Sequence, residues 1–217
     1  MDGTMMGGTG ATTDKDEVAM ADAPETSMSV FRLLPSLSEY RHLQLNSFDS
    51  RQLMRWQDGG SEADRLAQLR AGWTGEKRWA MSDFPSGYPG APVLSRRLTE
   101  DFGEDLSTAG SLVPVEIDGA RGDEYFLYIV DAVVDCLDLR RSSKPKRLDG
   151  EVKKPVYRPE ALPMHLPAFR LPQFPTAVQW NSWAAARLVE LTGDQIEARL
   201  TWSQDPAAKP HPDPWGF

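Results

Sequence analysis

The side chains of this chain that could do chemistry are few and scattered. Cys136 lies in VVDCLDL, an apolar run with no histidine or base beside it to lower its pKa, and it reads as a buried structural thiol. His42, His165 and His211 are far apart, and none has a second ligand at the spacing of His-x-x-x-His or Cys-x-x-Cys. No metal site and no cofactor are expected from them. The sharpest enzymatic pattern is Asp138 followed by Glu151-Val152-Lys153. An Asp and then Glu-x-Lys on adjacent strands can bind a divalent ion and position a lysine, as in many metal-dependent nucleases. Pro155 interrupts the strand that this would need, and the group falls in a charge-rich loop, so catalysis is not expected there. Asp131, Asp135 and Asp138 do not form an acid/base cluster either, because strand alternation puts Asp131 and Asp135 on one face and Asp138 on the other. There is no glycine-rich phosphate loop, no Gly-x-Ser-x-Gly elbow and no dinucleotide fingerprint, and the GGTG near the start follows no strand. Tryptophans at 56, 73, 79, 180, 183, 202 and 215 lack interleaved basic residues at strand spacing, so packing is expected of them rather than a stacking platform.

The elements that would position any site follow from periodicity. From Val30, VFRLL and YRHLQL alternate apolar and polar residues, with Pro35-Ser36 between them, which predicts an N-terminal hairpin. Asp49 or Ser50 is expected to cap a short helix running to Gln57 and ended by Gly59-Gly60, and Ser61 to cap a second through Ala71, closed by Gly72. The stretch from Trp73 to Ala91 reads as an irregular packed connection anchored by Trp73 and Trp79. Ser95 caps a clearer helix, with Leu98, Phe102 and Leu106 on one face and Glu100, Asp101, Glu104 and Asp105 elsewhere.

SLVPVEID and EYFLYIVDAVVDCLDL, around the turn GARGD, predict paired, well-buried strands at the centre of a sheet. RRSSKPKRLDGEVKKPVYRP reads as a solvated loop in which Val156-Tyr157 forms at most a short strand, and the prolines around AFRL permit only an edge strand. AVQW then leads through Asn181 or Ser182 into an alanine-rich helix with Ala184, Leu188 and Leu191 on one face, stopped by Gly193 and followed by a last strand over Ile196 to Trp202. The proline-locked ending offers Trp215 and Phe217 as anchors. This is an α+β pattern on a mainly antiparallel sheet.

Composition narrows the class. The chain has 217 residues, 40% of them hydrophobic and 26% charged, enough for one sizeable core. A lone cysteine cannot make an intramolecular disulfide, and no apolar run approaches the ~20 residues that cross a bilayer. With no signal-like start, a cytoplasmic, reducing location is expected. The net charge of −8 disfavours a general grip on phosphate backbones. Residues 1–29 hold six acids and one base with few large apolar side chains, and are expected to be a disordered tail ahead of a single domain over 30–217. Arg140 to Arg158 carries eight bases against Asp149 and Glu151, so charge is segregated along the chain.

The succession APVLSRRLTEDF, SLVPVEID, EYFLYIVDAVVDCLDLRRSS, PAFRLP and AVQWNSWAAARL resembles immunity-protein family eleven of bacterial polymorphic toxin systems. The ending ARLTWSQDP followed by PHPDPWGF is similar to its actinobacterial members. The resemblance implies a cytoplasmic, non-enzymatic protein that binds and neutralises one cognate toxin domain, with no catalytic residues to carry over. Toxins of this kind are often nucleases with basic clefts, and Glu100, Asp101, Glu104 and Asp105 are then candidates for the toxin-binding face. For an acidic or membrane-directed toxin, the basic loop from Arg140 to Arg158 is the better candidate. A metal-dependent nuclease using Asp138, Glu151 and Lys153 and a scaffold that binds a harmless partner are the competing readings.

Overall fold

A strand with hardly a polar residue has to be covered on both sides, and the run YFLYIV shows how this chain does it. The computed structural model describes residues 27–60, 69–87, 91–118, 124–148 and 150–216. In chain order the described elements are β1 (Ser29–Pro35), β2 (Tyr40–Leu45), α1 (Ser47–Gln57), β3 (Leu69–Thr74), β4 (Ala80–Met81), β5 (Val93–Ser95), α2 (Arg96–Ser107), β6 (Gly110–Ile117), β7 (Tyr125–Val130), β8 (Ala168–Leu171), β9 (Phe174–Asn181), α3 (Ser182–Thr192) and β10 (Ile196–Ser203).

They form an α+β fold with two sheets. One is antiparallel, in the order β10-β1-β9-β8; the other is mixed, in the order β4-β2-β3-β6-β7-β5, with β2-β4 and β3-β6 parallel. In β7, Tyr128 and Val130 join a cluster with Leu98, Phe102 and Leu106 of α2, Trp180 of β9 and Ala184, Ala185 and Leu188 of α3. The alternate residues Leu127 and Ile129 face a second cluster with Leu53 of α1, Leu69 of β3 and Val113 and Val115 of β6. The first cluster thus draws on both sheets. A third cluster covers the other face of the antiparallel sheet, where Val30, Phe169 and Ala177 meet Cys136, Val152, Tyr157 and Trp215.

Helix α2 starts at its expected cap, whereas α3 forms without a side-chain cap at its start. Ser95 Oγ accepts from Leu98 N at the start of α2, whose Leu98, Phe102 and Leu106 are all buried. In α3, Ala184 and Leu188 are buried as expected, and Gly193 stops the helix at φ +61°. The amide of Asn181, however, turns away from the helix and donates to Pro163 O and Leu166 O. The prediction for AFRL also holds, since β8 is an edge strand.

Several expectations are corrected. β1 and β2 do not form a hairpin: β1 pairs along its whole length with β10 and through Val30 and Phe31 with β9, while β2 joins the other sheet. Long-range pairing wins because it covers β1 from both edges, and PSLSE lacks the Asn-Gly type of turn that would hold a tight hairpin. The predicted helix from Ser61 to Ala71 fails at its end, since Leu69 to Ala71 open strand β3 between β2 and β6; residues 61–68 lie outside the described residues. Helix α1 is capped by Asn46, not by Asp49 or Ser50, with Asn46 Oδ1 accepting from Phe48 N. The run VVDCLDL makes only isolated bridges, Val133 to Arg170 of β8 and Leu137 to Tyr157, because its backbone is shared between the edge of β8 and the loop that carries Tyr157. The disordered-tail expectation concerns 1–29; its first 26 residues lie outside the described residues, and Ser29 already opens β1.

The tryptophans pack. Trp73 meets Tyr125 edge-on, Trp180 lies against Tyr128, Trp183 against Phe102, Trp202 against Tyr157 and Trp215 against Phe174, with centroids 4.9 to 5.9 Å apart.

Candidate functional site

Helix α1 is polar on most of its surface, so packing alone holds it poorly, and two ionic contacts fix its ends. At the first turn the buried Asp49 carboxylate accepts from the backbone N of Arg70 (2.9 Å) and pairs with the Arg70 guanidinium (2.9 Å), tying the helix to β3. At the last turn Arg170 reaches across from β8. Its Nε donates to Val130 O (2.6 Å), and its Nη1 donates to Gln57 O (3.2 Å) and Pro175 O (3.0 Å). The same guanidinium lies 5.3 Å from the ring centre of Trp56. Arg170 is buried, and desolvation lowers its pKa against the opposing charge of Asp131. One buried cation therefore joins the end of α1, the end of β7 and the start of β9.

With Leu53 and Gln57 turned inward, α1 presents Arg51, Met54, Arg55 and Asp58 to a groove of about 720 Å³. Arg51 Nε and Arg55 Nε donate to carbonyls one turn back, Ser47 O and Arg51 O. The groove is also lined by Pro145, Lys146, Arg147, Leu148 and Gly150 of the basic segment, by Pro172 and Gln173 of the β8-β9 turn and by Pro175 and Thr176 of β9.

The basic segment is more ordered than a solvated loop. Lys146 N donates to Glu151 O and Gly150 N to Lys146 O, while Lys146 Nζ pairs with the Glu151 carboxylate at 2.7 Å. Val152 is fully buried, and its carbonyl accepts from Trp215 Nε1 at 3.0 Å, so the C-terminal segment clamps the loop. Gly150 adopts φ +75°, and a Cβ there would overlap the carbonyl oxygen of Gln173. A residue with a side chain cannot sit that close to the β8-β9 turn.

Among the described lining residues the groove has four cations, Arg51, Arg55, Lys146 and Arg147, against the one acid Asp58. Among the described residues no carboxylate forms an ion pair with Arg51, Arg55 or Arg147. Two apolar side chains stand at this charged surface: Leu148 is fully exposed and Met54 is 37% exposed. Exposed apolar side chains beside arginines are a combination found at contact surfaces.

Glu100, Asp101, Glu104 and Asp105 are all exposed on α2, and Asp101 lies 4.0 Å from Arg97. Arg97 also pairs with Asp83 at 2.6 Å. Burial works to raise the Asp83 carboxyl, but hydrogen bonds from Arg97, Ser95 and Gln195 override it and hold it below its ordinary value. Cys136 is buried, and desolvation pushes its thiol up to about 12. Asp138 Oδ1 accepts from the backbone N of Arg140 and Arg141, so it organises a turn, while Glu151 is engaged with Lys146 and Lys153 is exposed. Asp131 and Asp135 are exposed, with Asp135 Oδ1 3.8 Å from Arg158. Among the described residues no three His, Cys, Asp or Glu side chains converge as a metal site would require. The α1 arginines and Arg170 were not foreseen; the only sequence signal for the former is the four-residue spacing of Arg51 and Arg55 around Met54.

No protein-family model matches the chain, and no curated protein matches it. Among the described residues no helix is long and apolar enough to cross a membrane.

Proposed function

We propose that this chain is a non-enzymatic immunity protein of the cytoplasm that binds and neutralises a cognate toxin domain of a bacterial polymorphic toxin system. The observation that carries the reading is the α1 groove: a preformed cationic surface with exposed apolar side chains, held by buried contacts at Asp49 and Arg170. Elements fixed in place around a groove suit binding, because no rearrangement of the backbone is needed when a partner arrives. The resemblance to immunity-protein family eleven adds the class of partner. The acidic face of α2, with Glu100, Asp101, Glu104 and Asp105, is a second contact surface for a toxin with a basic cleft.

The test begins with gentle purification of the tagged chain from its native cells. The protein that co-purifies in near-equal amount is then expressed alone in a naive host. Arrest of that host, relieved by co-expression of this chain, supports the reading. A harmless partner refutes it in favour of a scaffold. Magnesium-dependent cleavage of nucleic acid that Glu151→Ala abolishes would replace it with the nuclease reading.

A further inference from the structure

The chemistry of the groove selects among partners. Arg51 and Arg55 stand one helical turn apart on α1, and Arg147 of the basic segment lines the same groove, so carboxylates spaced along an extended chain have several guanidiniums to meet. Met54 and Leu148 add apolar surface that a bare polyanion would leave uncovered. The prolines at 145, 172 and 175 remove backbone N–H groups from the walls, so anion recognition rests on side chains rather than on a cradle of amides. A short acidic peptide segment with an apolar side chain satisfies every one of these features.

We propose that the α1 groove receives an acidic segment of the partner protein, its carboxylates paired with Arg51, Arg55 and Arg147 and an apolar side chain of the same segment packed on Met54 and Leu148. The proposal deepens the binding-protein reading above and rests on it. It also places the principal contact on the cationic groove rather than on α2.

The probe is a fluorescein-labelled peptide of alternating Glu-Glu-Leu units, titrated by anisotropy with the full chain at low salt, where screening is weak. A Lys-Lys-Leu peptide, a Glu-Glu-Ser peptide and a single-stranded oligonucleotide of matched charge serve as comparisons. Saturable binding of the Glu-Glu-Leu peptide is expected, weakened about tenfold or more by the pair Arg51→Glu and Arg55→Glu, and several-fold by Leu148→Ser. The altered residues are exposed, and an unchanged unfolding midpoint separates a lost contact from a lost fold. The proposal is overturned if the peptide does not bind, if binding is unchanged in the charge-reversed variant, if the Glu-Glu-Ser peptide binds equally well, or if the oligonucleotide binds more tightly. The two readings fail separately. A toxic partner still neutralised by the charge-reversed variant removes the groove proposal alone, whereas peptide binding together with a harmless natural partner removes the toxin reading alone.

Discussion

Replacing Arg170 by Met tests whether one buried cation sets the position of α1. The methionine keeps an unbranched apolar stem of similar reach but deletes the donors to Val130 O, Gln57 O and Pro175 O and the stacking on Trp56. A hydrogen bond from a charged donor contributes about 1.5–3 kcal/mol, and a buried carbonyl left without its partner costs about 1–3 kcal/mol. Against this, the variant no longer keeps a guanidinium out of water, which returns several kcal/mol. The balance is a net loss of about 2–4 kcal/mol. Arg170→Lys is expected to recover less than half of it, because its donors all sit on one nitrogen, whereas the guanidinium reaches the three carbonyls from both Nε and Nη1 and lays a planar face on the indole. Urea unfolding followed by tryptophan fluorescence measures both variants. If Arg170→Met unfolds within about 0.5 kcal/mol of the parent at an unchanged slope, the three carbonyls are satisfied without Arg170, and the account of how α1 is held is wrong.

Three further outcomes follow from the same geometry. Cys136 in the native protein resists alkylation at pH 8, because its thiol is buried and stays protonated up to about 12; it reacts once the chain is unfolded in denaturant, and fast labelling of the native state would contradict its burial. Gly150→Ala is destabilised by about 1–3 kcal/mol and loses peptide binding in the groove, since the φ +75° backbone and the Gln173 carbonyl leave a side chain no room; differential scanning calorimetry and the anisotropy titration read the two effects. Asp83 has a folded pKa below its unfolded value, so its contribution to stability is present above about pH 4, near the unfolded carboxyl pKa, and is lost as pH falls through the folded value. Asp83→Asn therefore flattens the acid limb of the stability curve while lowering stability at neutral pH, and an unchanged acid limb would refute the assignment.

What could be read from residue order alone was whatever is decided within a few turns of chain. Ser95 and the four-residue spacing of Leu98, Phe102 and Leu106 specify α2, because a cap and an apolar stripe are local. Gly193 ends α3 for the equally local reason that its positive φ suits a glycine. The unbroken run of β7 required two covered faces, and Cys136 in its apolar run was legible as buried. Partner choice was not local. β1 found β10 rather than β2, and Leu69 to Ala71, helical by their preceding residues, became a strand because β2 and β6 offered edges on both sides. The groove is the extreme case, since Arg170 donates to a carbonyl 113 residues away, and Arg51, Arg55 and Arg147 face one space only because that contact and the Gly150 approach hold their elements together. Periodicity records which face of an element is apolar; which distant element covers that face, and what charge then gathers at the seam, is settled by the packing of the whole chain.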